Sequence, residues 1–168
     1  MPHSPRIVAH TLVRTFVAGI ATGLRSQIPA AVIVQSLPDG NLARGDGPIW
    51  LALRQPASRW VTLALAGGEL VGDKLPMTPN RIDGLGGPFR IGTGATIGTL
   101  VASGLGAKSG GLAFAALSGA AGAAVGTYVG FFARTGITAR YGLPDLPVAL
   151  VEDVCAYALA RLAIAKEL

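Results

Sequence analysis

The sequence has few charged residues, few aromatic residues and one cysteine. Only 14% of its 168 residues are charged, whereas a typical soluble domain is about 25% charged. A soluble fold would therefore need a surface with unusually few charged residues. The single Cys155 excludes an internal disulfide and has no metal-ligand spacing around it. His3 and His10 are too isolated to indicate a metal site, so we predict no metal and no cofactor.

Acidic residues are outnumbered by basic residues, and the formal net charge is +5. The basic residues are scattered singly, and no aromatic residues are interleaved with them, which argues against a nucleic-acid-binding surface. Anchoring of loops at a membrane surface and contact with anionic headgroups explain the excess more simply. The predicted partner is a lipid bilayer, with no nucleic acid.

Glycine and apolar residues are abundant. Hydrophobic residues make up 51% of the chain, which also contains 24 glycines, and the mean hydropathy is +0.52. In water each glycine inside a helix costs roughly 1 kcal/mol relative to alanine. In a membrane, small residues instead let two helices approach closely. The composition therefore predicts an all-α integral membrane protein.

Long uncharged runs predict where the membrane segments lie. Residues 91–107 and 109–133 lack charge and are separated only by Lys108, so Gly106–Gly110 is predicted to be a tight turn between antiparallel helices. Three other apolar stretches carry charges. We predict one integral membrane domain over residues 1–168, a polytopic transmembrane helical bundle of about five segments, near 7–37, 60–75, 91–107, 109–134 and 147–165.

Glycines at four-residue spacing predict where these helices pack, because residues four apart share one helix face. Such spacing occurs in the first, third and fourth segments. The predicted helix-packing residues are Gly19, Gly23, Gly94, Gly98, Gly122, Gly126 and Gly130. An alternative interpretation is that these glycines line a pore or a groove for a lipid-like ligand.

Six charged residues lie within or at the ends of apolar segments. A charge at the bilayer centre costs about 2.5–3.5 kcal/mol on insertion scales, so each must pair, reach water or extend to the headgroups. Two of the acids, Glu152 and Asp153, are adjacent and are expected to face different ways. The predicted substrate-binding residues are Arg25, Glu69, Asp73, Arg134, Glu152 and Asp153.

Helix-breaking residues lie beside these charges. Pro29 is expected to interrupt the first helix just after Arg25, and residues 134–136 and 141–147 are expected to interrupt the chain after the fourth. Transporters commonly build substrate sites from discontinuous helices in repeated halves. A faint repeat relates residues 19–25 to 126–134, each followed by an apolar segment with acid, and predicts two related halves.

A longer pattern of residues resembles a known family. It comprises Gly23-Leu24-Arg25-Ser26 with Pro29, Glu69 with Asp73-Lys74 and Pro76, then Arg90, and Pro144-Asp145 with Glu152-Asp153. Together these residues resemble DUF4126, a family of bacterial membrane proteins of unknown function, over nearly the whole chain. The resemblance implies a location in the bacterial inner (cytoplasmic) membrane and agrees with the number of segments. It implies no substrate.

These features favour a small transporter-like or permease-like protein whose charged residues converge between the helices. The arginines would neutralise the acids or hold an anionic group, and Glu69 or Glu152 would exchange a proton. One alternative is a structural or accessory subunit of a membrane complex, or a homo-oligomer, with static charge pairs. Another is an enzyme acting on a lipid or polyprenyl phosphate with Asp73, Asp83 and Asp145 as ligands, although no spacing supports these and no catalytic residue is predicted.

Overall fold

The computed structural model describes residues 5–72, 82 and 84–165, and these residues form helices joined by turns, with no strand among them. The all-α class is therefore confirmed for this part of the chain. The helices are α1 Pro5–Leu24, α2 Ile28–Ser36, α3 Pro48–Leu53, α4 Pro56–Gly72, α5 Gly86–Gly104, α6 Ser109–Tyr141 and α7 Asp145–Ile164, with a single 3₁₀ turn at Leu37–Asp39.

One of the described helices, α6, is long and apolar enough to cross a membrane, and Val8–Leu24 forms a shorter apolar helix. At a rise of about 1.5 Å per residue, the 33 residues of α6 extend well beyond a hydrocarbon core of about 30 Å. Helices α5 and α7 have 19 and 20 residues. Glycines and threonines in α5 and charges in α7 lower their hydropathy.

The chain breaks after Leu24, as the sequence predicts, but it also reverses direction there. Arg25 contacts Asp153 of α7, whereas Arg14 and Ser36, on either side of Arg25 in the chain, contact Ala163 and Arg161 near the other end of α7. Helices α1 and α2 therefore run antiparallel and both pack on α7. The segment expected near 7–37 is two helices of a hairpin, with both ends on one side.

Helices α1, α5 and α6 pack through glycine. A methyl group added to Gly19 would overlap the carbonyl oxygen of Gly119, and one added to Gly126 would overlap that of Ile20. Contacts between α1 and α6 advance in step along both chains, so these two helices are parallel. Contacts between α5 and α6 run in opposite order, from Gly94 against Ala123 to Gly98 against Ala115, so this pair is antiparallel.

Helix α2 is short and buried on all sides, which suits its continuous apolar sequence. Helix α4 then returns antiparallel to α2, since Arg59 contacts Gln35 and Glu69 contacts Ser26.

Two predictions from the sequence need correction. Helix α6 continues through residues 134–136 and ends at Tyr141, because one glycine and one arginine do not stop a helix that has no proline. The two halves do not match either, because α4 runs parallel to α1 whereas α7 runs antiparallel to α6.

Polar side chains are buried inside the bundle and large apolar side chains face outward. The buried set includes Thr22, Arg25, Thr127 and Glu152, while the outer surface of each long helix carries apolar side chains more than one-third exposed. On α6 and α7 these outward residues include Phe114, Leu117, Val129, Phe132, Leu150, Val151, Val154 and Tyr157. Soluble monomers rarely expose apolar patches beyond a few hundred Å².

Candidate functional site: a charge network around the α1–α2 turn

The α1–α2 turn is held by charged side chains from two other helices. The backbone N–H groups of Ser26 and Gln27, at the start of α2, donate to the two carboxylate oxygens of Glu69 at 2.8 Å each, and the Ser26 hydroxyl also donates to Oε1 at 2.7 Å. Glu69 thus caps the positive end of α2 from its place on α4.

Arg90 of α5 completes this arrangement on the opposite side of the turn. Its Nη1 donates to the carbonyl oxygens of Leu24 at 3.2 Å and Gly23 at 3.4 Å, which are the last carbonyls of α1. Its Nη2 lies 3.2 Å from Oε1 of Glu69. A cation therefore faces the negative end of α1 while an anion faces the positive end of α2, and the two charges pair with each other.

Arg25 lies in the turn and contacts two neighbouring acids of α7. Its Nε donates to Oδ1 of Asp153 at 2.5 Å, and its Nη2 lies 3.6 Å from Oε2 of Glu152. The Arg25 side chain is 0% exposed. These adjacent acids were expected to face different ways. That prediction is wrong, because both carboxylates contact the broad guanidinium group of Arg25.

Arg134 of α6 extends the same set of charges toward the surface. Its Nη1 lies 3.7 Å from Oε2 of Glu152, and its Nε donates to Asp145 at 2.7 Å. A second bond joins Nη2 of Arg134 to the other oxygen of Asp145. Exposure rises from Arg25, which is fully buried, through Arg134 at 15% to Asp145 at 59%.

These contacts surround the turn with two groups of charges from α4, α5, α6 and α7: the Glu69–Arg90 pair, and the ion pairs that link Arg25 to Asp145. Both groups contact the turn, and together they are called the charge network. Its members in the described part of the chain are Arg25, Glu69, Arg90, Arg134, Asp145, Glu152 and Asp153. Glu152 lies between two arginines and joins them at distances longer than a hydrogen bond. An anion entering the network would compete with Glu152 for both arginines.

Five of the six predicted binding residues lie in this network, and the sixth, Asp73, lies outside the described residues. Two members, Arg90 and Asp145, were not among the predicted substrate-binding residues, although Asp145 was considered as a ligand in the enzyme alternative. Both occur in the residue pattern that resembles DUF4126, and that pattern was the signal that could have identified them as site residues. Arg90 lies near the start of α5, just before the predicted segment 91–107. A search for charges within apolar segments therefore did not identify it.

The predicted packing glycines lie in the α1, α5 and α6 core, below the network. Gly19, Gly23, Gly94, Gly98, Gly122 and Gly126 each face backbone or a side-chain carbon so closely that an added methyl group would overlap it. Gly130 is also buried, and it lies on α6. Thr127 ties this core to the turn, because its hydroxyl donates to the carbonyl of Gly23 at 3.4 Å.

The network offers ionic and hydrogen-bonding groups rather than a metal site. Among the described residues no cluster of three or more His, Cys, Asp or Glu side chains is placed to hold a metal ion. Asp73 and Asp83, two of the three ligands considered for an enzyme, lie outside the described residues. The described members of the network are arginines and carboxylates, which can form ion pairs and hydrogen bonds.

Comparison with protein-family models, curated proteins and solved structures gives no match to this chain. The resemblance to DUF4126 thus stays a prediction.

Proposed function

We propose that the chain is a small multi-pass protein of the bacterial inner membrane that moves a small solute, with the charge network as the polar end of its path. The observation that carries the proposal is the burial of Arg25, with its carboxylate partners, at the reversal between two helices. A broken backbone and buried charge at membrane depth are both costly, and they occur together mainly where a membrane protein handles a polar solute.

The membrane part of the proposal is supported by the polarity of the fold. Arginine, threonine and glutamate side chains are buried inside, while phenylalanine, leucine and valine side chains cover the outside of α6 and α7. Helices α1, α5 and α7 have 19 to 20 residues, a length that matches a bilayer core of about 30 Å. In this arrangement α1, α4, α5, α6 and α7 cross or enter the membrane, and α2 returns within it.

The transport part is supported by the position of Glu152. Its Oε2 lies 3.6 Å from Nη2 of Arg25 and 3.7 Å from Nη1 of Arg134, so one carboxylate of α7 links the α1–α2 turn to α6. We infer that this link closes the path and that a solute passes when Glu152 exchanges one arginine for another partner. Arg25 and Arg134 then hold an anionic group of the solute in place of the carboxylate.

The test is flux into liposomes that contain the purified protein. Inorganic phosphate, acetate and methylammonium serve as probes, and entrapped pyranine reports protons. We expect at least one probe to enter faster than into protein-free liposomes. Because E152Q removes the carboxylate charge that closes the path, it should speed that entry by at least about tenfold, the size of one lost charged contact. The matched control is D46N, which removes an exposed acid at the opposite end of the bundle.

Two results would contradict the proposal. One is entry of every probe at the protein-free rate. The other is equal entry with wild-type protein and E152Q, provided that circular dichroism shows the same helix content in both. In either case the charge network does not carry transport.

The second candidate function is an accessory subunit of a membrane complex, and the surface of α4 favours it. Of the described side chains of α4 only Ala66 is buried, while Trp60 is 74% exposed and Val71 is 65% exposed. This surface is suited to a partner helix or a second copy of the chain. Purification in mild detergent distinguishes the two functions, since a stoichiometric partner protein would favour the accessory role.

A further inference from the structure

The end of the bundle opposite the charge network contains a separate set of basic and apolar groups. Here α5 ends and α6 begins, and the segment before α3 lies against their junction. The Arg44 N–H donates to the carbonyl of Gly104 at 3.2 Å, and the buried Trp50 ring donates from Nε1 to the Ser103 hydroxyl at 3.1 Å. Arg44 is thereby fixed beside the α5–α6 turn.

Two cavities open at this junction and share its basic residues. One has a volume of about 660 Å³ and lies between α3 and α5. The other has a volume of about 410 Å³ and lies between α1 and the start of α6. Arg44, Gly106, Ala107 and Lys108 line both cavities.

The smaller cavity brings together donors for an anion. Arg44 and Lys108 supply two cations, and among the described residues no acid lines it, whereas Asp46 lines the larger cavity. Helix α6 begins at Ser109 without a side-chain cap on its first N–H groups. The first N–H groups of a helix have no acceptor within the helix, and they favour a negatively charged acceptor. Gly110 has open space in place of a side chain, so an anion can approach this backbone closely.

The other wall of the smaller cavity is apolar. Leu12 and Leu105 line it together with Val8 and Phe114, which are 44% and 64% exposed. A free inorganic anion gains nothing from such a wall. A molecule that joins a phosphate group to a hydrocarbon chain would contact both parts of the cavity at once.

We propose that this cavity binds the phosphate group of an anionic phospholipid, with Arg44, Lys108 and the first N–H groups of α6 around the phosphate and an acyl chain along Val8, Leu12 and Phe114. The proposal rests on the membrane location proposed above, but not on transport. It also gives a use to basic residues that lie far from the charge network, at the level where headgroups lie if α6 crosses the bilayer.

The test is thermal unfolding of the purified protein in a neutral detergent with three additives. These are dioleoylphosphatidylglycerol, dioleoylglycerol without phosphate, and glycerol 1-phosphate without acyl chains. We expect only the phospholipid to raise the Tm of the wild-type protein at low concentration. In R44Q/K108Q the concentration needed for half of the shift should rise at least about tenfold, because two charged contacts are lost.

The matched control is R140Q, which removes an exposed arginine from the last turn of α6, at the opposite end of that helix. It should respond to the phospholipid as the wild-type protein does. A second variant, K108E, reverses one charge at an exposed position and should weaken the response more than K108Q.

Three results would overturn the proposal. Equal responses of R44Q/K108Q and R140Q would show that these cations do not hold the phosphate. An equal shift with glycerol 1-phosphate would assign the site to a soluble phosphate compound, and an equal shift with dioleoylglycerol would assign it to apolar contact alone. Because the measurement is made in detergent, it is independent of whether any probe crosses a liposome membrane.

Discussion

Glu69 and Arg90 form an ion pair across the turn between two antiparallel helices, with Oε1 and Nη2 3.2 Å apart. Each partner also binds backbone at a helix end: Glu69 binds the N–H groups that open α2, and Arg90 binds the carbonyls that close α1. The pair therefore supplies partners for backbone groups that the break leaves open. Loss of one partner should affect the turn as well as the pair.

A double-mutant cycle at this pair measures that coupling. We expect E69Q and R90Q each to lower the free energy of unfolding by about 3–5 kcal/mol, the cost of leaving one buried charge without its partner. The double variant should lose less than the sum. The matched control is R59Q, an exposed arginine of α4 bonded to Gln35, which should cost less than about 1 kcal/mol. Additive losses would contradict the coupling.

The two acids paired with arginine at opposite ends of the network should differ in their contribution to stability. D153N neutralises the closer of the two acids beside the fully buried Arg25 and should cost about 3 kcal/mol or more. D145N acts on a side chain that is 59% exposed, and water screens that pair, so it should cost about 1 kcal/mol or less. Chemical denaturation in detergent micelles gives both values, and equal losses would contradict the burial gradient.

Close packing of glycine between α1 and α6 predicts a position-specific effect of alanine. G126A places a methyl group against the carbonyl of Ile20 and should destabilise the protein by about 1–3 kcal/mol. G136A lies on the same helix with nothing within 4 Å of the added methyl group, so it should be neutral or slightly stabilising. Thermal unfolding of both variants distinguishes them. A loss at G136A as large as at G126A would contradict packing as the cause.

The sequence predicts much of this fold because several of its signals are local. Four-residue glycine spacing identified helix faces, Pro29 identified the break near Arg25, and Gly106 with its neighbours identified the turn before α6. Each of these depends on residues close together in the chain. The convergence of Arg25 with Glu152 followed from a general cost, since buried charges need partners.

Other features depend on contacts between distant residues and were not predictable in this way. Spacing does not reveal the direction in which a helix leaves a break, so the reversal at Arg25 was missed. It becomes evident only from Arg14 and Ser36 meeting neighbouring turns of α7. The part played by Arg90 was missed for a similar reason, because its partners lie on α1 and α4. The short α3 lies between the first two predicted segments, where no helix was predicted.

The hairpin of α1 and α2 predicts which side of the membrane each connection faces. In a C155A background, cysteine at Ala9 and at Ala43 should react with an impermeant maleimide from the same side, because α1 begins and α2 ends at the same end of the bundle. Cysteine at Leu143, in the exposed α6–α7 connection, should react from the other side. A single helix running from residue 7 to 37 would instead place Ala9 and Ala43 on opposite sides.

The native cysteine tests membrane insertion most directly. Cys155 is exposed on the surface of α7 and is the eleventh of its 20 residues, about 15 Å from either end. We predict that an impermeant maleimide does not label it in sealed vesicles of either orientation and labels it fully after denaturation in SDS. The A43C/C155A variant supplies the positive control for labelling from one side. Labelling of Cys155 in intact vesicles at the rate of that control would contradict the account.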